Sequence, residues 1–320
     1  MNKHNIVFLD AYTNNPGDLS FAALENLGMF CVYDRTSMDQ LSERAANADI
    51  IIVNKFPVNE TSLAMMPKVK YICVAATGFN NIDIVAVSSR GIQVSNVQGY
   101  SKDSVAQHVF ACLLSFINRP EYYSKQVSEG RWSSSVDFCF YDHTIGELAG
   151  KTMGIYGYGT IGKKVGEIAH AFGMEVLSVV RNMKQEKPDF VKFVSHNTLM
   201  ATSDFISLHC PLTDLTHEII NLDNLKKMKP TTIIINTGRG GLVNESDLKY
   251  ALDHDIICGV ILDVLQEEPP KEGNELVSHH KCMITPHQAW ASKEAREKLL
   301  NRVASNIKSW INGEWINRIY

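Results

Sequence analysis

Three side chains suited to polar chemistry stand just beyond β-prone apolar runs. Arg239 follows the run 231–236, inside Thr237-Gly-Arg-Gly-Gly241. Glu268 follows the run 257–262 and Asp263, inside Gln266-Glu-Glu-Pro-Pro270. His287 follows the run 282–285, between Pro286 and Gln288. Charged and titratable groups gathered at strand ends are the expected pattern of a site. Their types suit the reduction of a 2-keto acid by a nicotinamide. A guanidinium grips a carboxylate with its planar fork and polarises a ketone. An imidazole, with an ordinary pKa of roughly 6.5, protonates the developing alkoxide. A carboxylate beside the imidazole orients it and keeps it protonated. Glu267 and Glu268 compete for that last role.

The element that must position this chemistry is the stretch 151–166. Residues 152–156 are short, apolar and β-prone, and Gly157-Tyr-Gly159-Thr160-Ile161-Gly162 follows. A helical spacing then runs through Ile161, Val165, Ile168, Ala169 and Phe172. Strand, glycine turn and helix are the context that G-x-G-x-x-G requires. Gly157 permits the tight turn, Gly159 lets a pyrophosphate approach, and Gly162 lets the helix pack closely on the strand. The free N–H groups at the helix start then face the phosphates. Gly173 ends the helix, and 175–180 reads as the next strand of a βαβ unit.

That second strand ends in Val180-Arg181-Asn182, with no acid to bind the adenosine ribose. A carboxylate there favours NAD, whereas a guanidinium pairs with a 2′-phosphate. NADP(H) is therefore the expected cofactor, with NAD(H) possible.

The remaining chain alternates strands and helices, with strands apolar throughout. This implies α/β domains with doubly wound parallel sheets covered on both faces. A helix is expected over 19–27, ended by Gly28 as a C′ glycine. Ala76, Thr77 and Gly78 follow the fourth strand, where exposed N–H groups can hold a substrate carboxylate. Lys55, after the third strand, faces the same edge. Residues 101–118 read as a connecting hinge helix, and 131–146 as an aromatic-rich loop that covers something. The last helix, from 292, crosses back to the first domain. The expected division is a discontinuous flavodoxin-like substrate domain, 1–100 plus 292–320, and a dinucleotide-binding Rossmann domain, 101–291.

Composition sets outer limits. The chain has 320 residues, 45% hydrophobic, enough for two cores. A net charge of −4 with mixed signs and no basic stripe argues against nucleic acid. The seven cysteines are odd in number and lie among apolar neighbours, which reads as buried thiols in a reducing compartment. No signal peptide, membrane span or metal site is visible, so a cytoplasmic protein is expected.

Across nearly its whole length the chain resembles the D-2-hydroxyacid dehydrogenases. The motifs that carry this are 157–162, His209-Cys-Pro-Leu-Thr, Asn236-Thr-Gly-Arg-Gly, Leu262-Asp-Val-Leu-Gln-Glu-Glu-Pro-Pro and Thr285-Pro-His. The resemblance implies catalytic roles for Arg239, Glu268 and His287. It implies a nicotinamide contact at Asp263, and cofactor contacts at Thr160, Ile161, Pro211, Thr237 and Val105. It implies a carboxylate-binding loop at Ala76, Thr77 and Gly78, a substrate held between the domains, and a homodimer formed largely by the cofactor domains. Within the family the chain is most similar to glycerate dehydrogenases, or hydroxypyruvate reductases. The segments 76–80, 99–108, 137–141, 147–152 and 287–296 carry that finer likeness. Reduction of hydroxypyruvate or glyoxylate is the expected activity. Its rivals are reduction of another small keto acid, of the D-lactate type, and a non-catalytic NAD(H)-sensing protein like the C-terminal-binding-protein corepressors. Arg181 is the chief departure from NAD-dependent members.

Overall fold

The computed structural model describes residues 4–184 and 186–319. The chain forms two compact units, Met1–Ser101 with Ala291–Tyr320, and Lys102–Trp290.

The first unit contains β1 (His4–Phe8), α1 (Ala22–Glu25), β2 (Gly28–Val32), α2 (Met38–Ala45), β3 (Ile50–Val53), α3 (Glu60–Ala64), β4 (Tyr71–Val74), α4 (Ile84–Ser89) and β5 (Gln93–Ser95). Its sheet is parallel, in the order β2-β1-β3-β4-β5. That is the order of flavodoxin-like sheets. β3 and β4 are buried at every position, because helices cover both faces of a parallel sheet.

Gly28 does not end a helix. α1 is a single turn, and Gly28 opens β2, paired with His4. A Cβ at Gly28 would lie 2.3 Å from the His4 carbonyl oxygen, so glycine is required by close strand approach and not by a left-handed cap. β2 is an edge strand, which leaves Met29 and Cys31 exposed.

The second unit contains α5 (Lys102–Asn118), α6 (Pro120–Ser128), β6 (Thr152–Tyr156), α7 (Thr160–Ala171), β7 (Glu175–Val179), β8 (Val191–Phe193), α8 (His196–Thr202), β9 (Phe205–Leu208), α9 (Leu222–Leu225), β10 (Ile233–Asn236), α10 (Glu245–Asp253), β11 (Gly259–Leu262) and β12 (Cys282–Ile284). The parallel sheet runs β12-β11-β10-β9-β6-β7-β8. From β8 to β11 this is the doubly wound Rossmann order, whose switch point lies between β6 and β9. α5 packs on α7 through Ala106, Val109, Phe110 and Leu113, all buried with Met153, Ile155 and Val165. α11 (Lys293–Ile311) returns to the first unit.

Two expectations are corrected. Cys31, Cys139 and Cys258 are exposed, so burial of all seven thiols does not hold. The loop 131–146 presents Val136, Phe138 and Tyr141 to solvent and buries none of them beneath itself. Arg131 pairs with Asp142 and lies over the Phe140 ring at 4.2 Å, which stiffens the loop.

Candidate active site

β11 and β12 end side by side, with Leu262 in register with Ile284. The segments beyond them bring Glu268 onto His287. Glu268 Oε2 lies 2.5 Å from His287 Nδ1. Its other oxygen, Oε1, accepts the Leu265 N–H at 3.0 Å, so the carboxylate is oriented by its own turn. Both side chains are partly open to solvent, 27% for His287 and 35% for Glu268. With Nδ1 turned to the carboxylate, Nε2 is the ring atom left to meet a substrate. Glu268, and not Glu267, makes this pair.

His287 adopts φ 51°, in the left-handed region. That conformation costs a non-glycine residue roughly 1–2 kcal/mol. Its surroundings outweigh the cost, since each hydrogen bond contributes roughly 0.5–1.5 kcal/mol net. The His287 N–H donates to the carbonyls of Asp263 (2.8 Å) and Thr285 (2.9 Å), and Trp290 Nε1 donates to the His287 carbonyl (2.9 Å). The buried Asp263 carboxylate accepts from Gln288 N (2.9 Å), Ala289 N (2.9 Å) and Thr285 Oγ1 (2.6 Å). Asp263 therefore brackets His287 from both sides. That structural task was not visible in the sequence, where Asp263 stands only as a cofactor contact.

Arg239 follows β10 in extended backbone. Buried Asn236 shapes the turn: its Nδ2 donates to the Arg239 carbonyl (2.8 Å), and its Oδ1 accepts the Gly238 N–H (3.0 Å). A Cβ on Gly240 would lie 1.9 Å from the Leu265 carbonyl oxygen. The arginine turn thus abuts the turn that orients Glu268.

The glycine turn fits a dinucleotide. Gly157 has φ 99°, and a Cβ there would lie 2.7 Å from Cys210 N. A Cβ on Gly162 would lie 2.2 Å from the Gly157 carbonyl oxygen, whereas one on Gly159 meets nothing within 4 Å. Backbone contact at Gly157 and Gly162 is what the tight turn and close helix packing require, and open space at Gly159 is what phosphate approach requires. Gly159 is the N-cap of α7 and supplies no side-chain cap, so the first-turn N–H groups of Thr160, Ile161 and Gly162 are open to an anion. Thr237 Oγ1 is buried with no hydrogen-bond partner among the described residues, a polar atom that a bound group could satisfy.

Arg181 and Asn182 are exposed just beyond β7, whose Val179 carbonyl accepts the Gly157 N–H at 3.0 Å. Pro211 follows β9, and Val105 is buried on α5. His209, between β9 and Pro211, is enclosed, and burial pushes its imidazole down to about 4, so it stays neutral. Burial pushes the neighbouring Cys210 thiol up to about 11. Among the described residues no group of three or more His, Cys, Asp or Glu side chains is placed to hold a metal.

In the first unit, the N–H groups of Asn54, Lys55 and Phe56 donate to the Asp10 carboxylate at 2.7, 2.5 and 2.8 Å. This fixes the backbone that carries exposed Lys55. Burial raises the Asp10 carboxyl above its usual range, against these bonds. In the loop after β4, Asn96 Nδ2 donates to the Thr77 carbonyl (2.7 Å) and Thr77 Oγ1 donates to the Val97 carbonyl (2.9 Å), while Ala76 is buried and Gly78 partly open.

A family model described as D-isomer specific 2-hydroxyacid dehydrogenase, NAD binding domain, matches residues 110–289. The chain belongs to this family. A hydroxypyruvate reductase of Blautia hydrogenotrophica is 40% identical over 317 residues, which cover 98% of each chain. A glycerate dehydrogenase of Methylorubrum extorquens is 38% identical over 278 residues, 86% of this chain and 87% of that one. Among solved structures, an acyclic imino acid reductase in complex with NADPH and D-Arg is similar, with a TM-score of 0.83 and 30% identity over 99% of this chain and 100% of that one. The chain is thus an oxidoreductase of the dehydrogenase family, with a Rossmann domain that takes a nicotinamide cofactor. Among the described residues no helix is long and apolar enough to cross a membrane.

Proposed function

We propose that the chain reduces hydroxypyruvate to D-glycerate, or glyoxylate to glycolate, with NADPH in preference to NADH. The observation that carries this is the His287–Glu268 pair at 2.5 Å beside the arginine turn, in a chain so similar to a hydroxypyruvate reductase. The bound nicotinamide supplies the hydride. Arg239 receives the substrate carboxylate and polarises the C2 carbonyl. Within the first unit, exposed Lys55 and the backbone N–H groups of Ala76, Thr77 and Gly78 are suited to an acid's carboxylate. His287 Nε2 delivers the proton to the oxygen as C2 becomes a carbinol, and Glu268 stabilises the protonated ring. Gly157, Gly159, Thr160, Ile161 and Gly162 cradle the pyrophosphate. Pro211, Thr237, Asp263 and Val105 line the rest of the dinucleotide.

Arg181 and Asn182 support the NADPH preference, because they stand where an acid would repel a 2′-phosphate. The exposed apolar residues Trp132, Val136, Phe138, Tyr141 and Ile145 support a homodimer formed largely by the cofactor units. Equilibrium sedimentation as a monomer would remove that assignment. Seven free cysteines support a cytoplasmic, reducing setting, which fractionation would check.

The deciding experiment measures oxidation of NADPH and of NADH with hydroxypyruvate, glyoxylate, pyruvate and 2-ketoisocaproate in parallel. The expected result is the highest kcat/KM with hydroxypyruvate and NADPH. The same acid preference with NADH removes the Arg181 argument alone. A preference for pyruvate or 2-ketoisocaproate overturns the substrate assignment, and no turnover on any acid overturns the whole reading.

A further inference from the structure

On one face of α5, Ser104 and His108 meet the segment that carries His287, and Cys112 backs His108. Ser104, His108 and Cys112 are spaced four apart, so they lie above one another on the helix. Ser104 Oγ donates to the Ala289 carbonyl at 2.7 Å. His108 Nε2 lies 3.0 Å from Thr285 Oγ1 and 3.6 Å from Asp263 Oδ1. Cys112 Sγ lies 3.4 Å from the same ring nitrogen. The His108 side chain is only 16% exposed, and no role assigned above uses it.

The direction of each bond follows from the protons available. A carboxylate only accepts, so the single Thr285 hydroxyl proton goes to Asp263 Oδ1, at 2.6 Å. Thr285 Oγ1 then offers His108 lone pairs alone. His108 Nε2 must carry a proton and donate it. Burial, with the Asp263 charge second, holds the Cys112 thiol up at about 11, so it is not an anion competing for that donor.

We propose that His108 is a positioning residue for His287, acting through Thr285 and Asp263. The proposal rests on His287 as the proton donor of the reduction. Asp263 fixes Thr285 on one side of His287 and Gln288 and Ala289 on the other. The His108 donor holds the Thr285 hydroxyl turned toward Asp263. Without it the hydroxyl can rotate away, and the left-handed turn at His287 loses a fixed point. Nε2 is then misaimed, while the glycine turn that would cradle the pyrophosphate is untouched and Asp263 keeps its bonds from the Gln288 and Ala289 N–H groups. Such a defect lowers kcat and leaves the cofactor KM unchanged.

The test compares His108→Leu, His108→Gln, Thr285→Val and His287→Gln in the full chain, with the keto acid turned over fastest. His108→Leu and Thr285→Val each remove the bond while keeping much of the volume. The expected loss in kcat is about tenfold or more for both, as small misplacements of a reacting group cost. The cofactor KM should stay within about twofold. His108→Gln keeps an N–H that can reach Thr285, and should recover most of the turnover. A packing role predicts the reverse order, since leucine suits an apolar helix face better than glutamine. Wild-type kcat in folded His108→Leu overturns the proposal. So does equal impairment of the glutamine variant, or a cofactor KM that rises with the loss. Thr285→Val decides if the leucine variant does not fold. Full turnover in His287→Gln removes the proton-donor assignment and this proposal with it. A dead His287→Gln beside a fully active His108→Leu removes the proposal alone.

Discussion

One oxygen of Glu268 faces His287 and the other is held by the Leu265 N–H. Replacement by glutamine keeps the shape and the Leu265 bond but removes the charge that stabilises an imidazolium. Glu268→Gln should therefore lower kcat by roughly 10²-fold, within the range for general acid–base groups. Glu267→Gln should leave it nearly unchanged, because that side chain is exposed and outside the pair. Steady-state kinetics of both variants decides between the two adjacent acids, and similar losses from each would refute the assignment. The placing of Arg239, Glu268 and His287 just beyond β10, β11 and β12 was legible because each follows an apolar run that reads as a buried strand. The tasks of Asp263, Thr285 and His108 were not. They depend on which hydroxyl and amide protons face each other after two loops close, and no spacing along the chain encodes that.

At the scale of elements, the β6–α7 turn is the most tightly specified part of the chain. A methyl at Gly162 would press on the Gly157 carbonyl oxygen, which is backbone and cannot rotate away. α7 must then shift off β6, and the open N–H groups at its start shift with it. Gly162→Ala should raise the cofactor KM about tenfold or more, since misplacement of about an ångström is that costly. It should also destabilise the chain by about 1–3 kcal/mol, as overpacking does. Cofactor titration and thermal melting check both, and wild-type affinity would show that the helix accommodates the methyl. The turn itself was legible because strand and helix patterns flank its glycines. Gly28 departs from the expected C′ role because a C′ glycine and a close strand contact look alike after a short apolar stretch. α6 has no clear signal along the chain, because Arg119-Pro120 reads as the stop of the helix before it, although proline is well suited to the first helical turn. The fate of residues 131–146 was also illegible, since an aromatic-rich loop has no period to say which way its rings face.

At the scale of the whole chain, the first unit is assembled from both ends of the sequence. Buried Arg296 of α11 grips Asp18 with two bonds of 2.7 Å, across 278 residues. Asn306 Nδ2 donates to the Asn96 carbonyl at 3.0 Å, and Trp310 stacks on Tyr71 at 5.1 Å. These contacts explain why the last helix, readable as a helix, had to return to the first sheet. The Arg296 guanidinium holds the Asp18 carboxyl below its ordinary value of 3.8. The folded state therefore binds this proton less readily than the unfolded chain does. Stability from the pair is fully present above the unfolded value of roughly 3.9 and is lost as pH falls through the lower folded value. Asp18→Asn leaves a buried guanidinium without its counter-charge, so it should lower Tm by a few degrees at neutral pH. The difference from wild type should stay constant from pH 7 down to about 5, and then shrink below about 4 as Asp18 protonates in the parent. Paired melting curves across that range decide the matter. A gap that persists unchanged into acid would mean that the aspartate holds the two ends together by shape and hydrogen bonding, with no contribution from its charge.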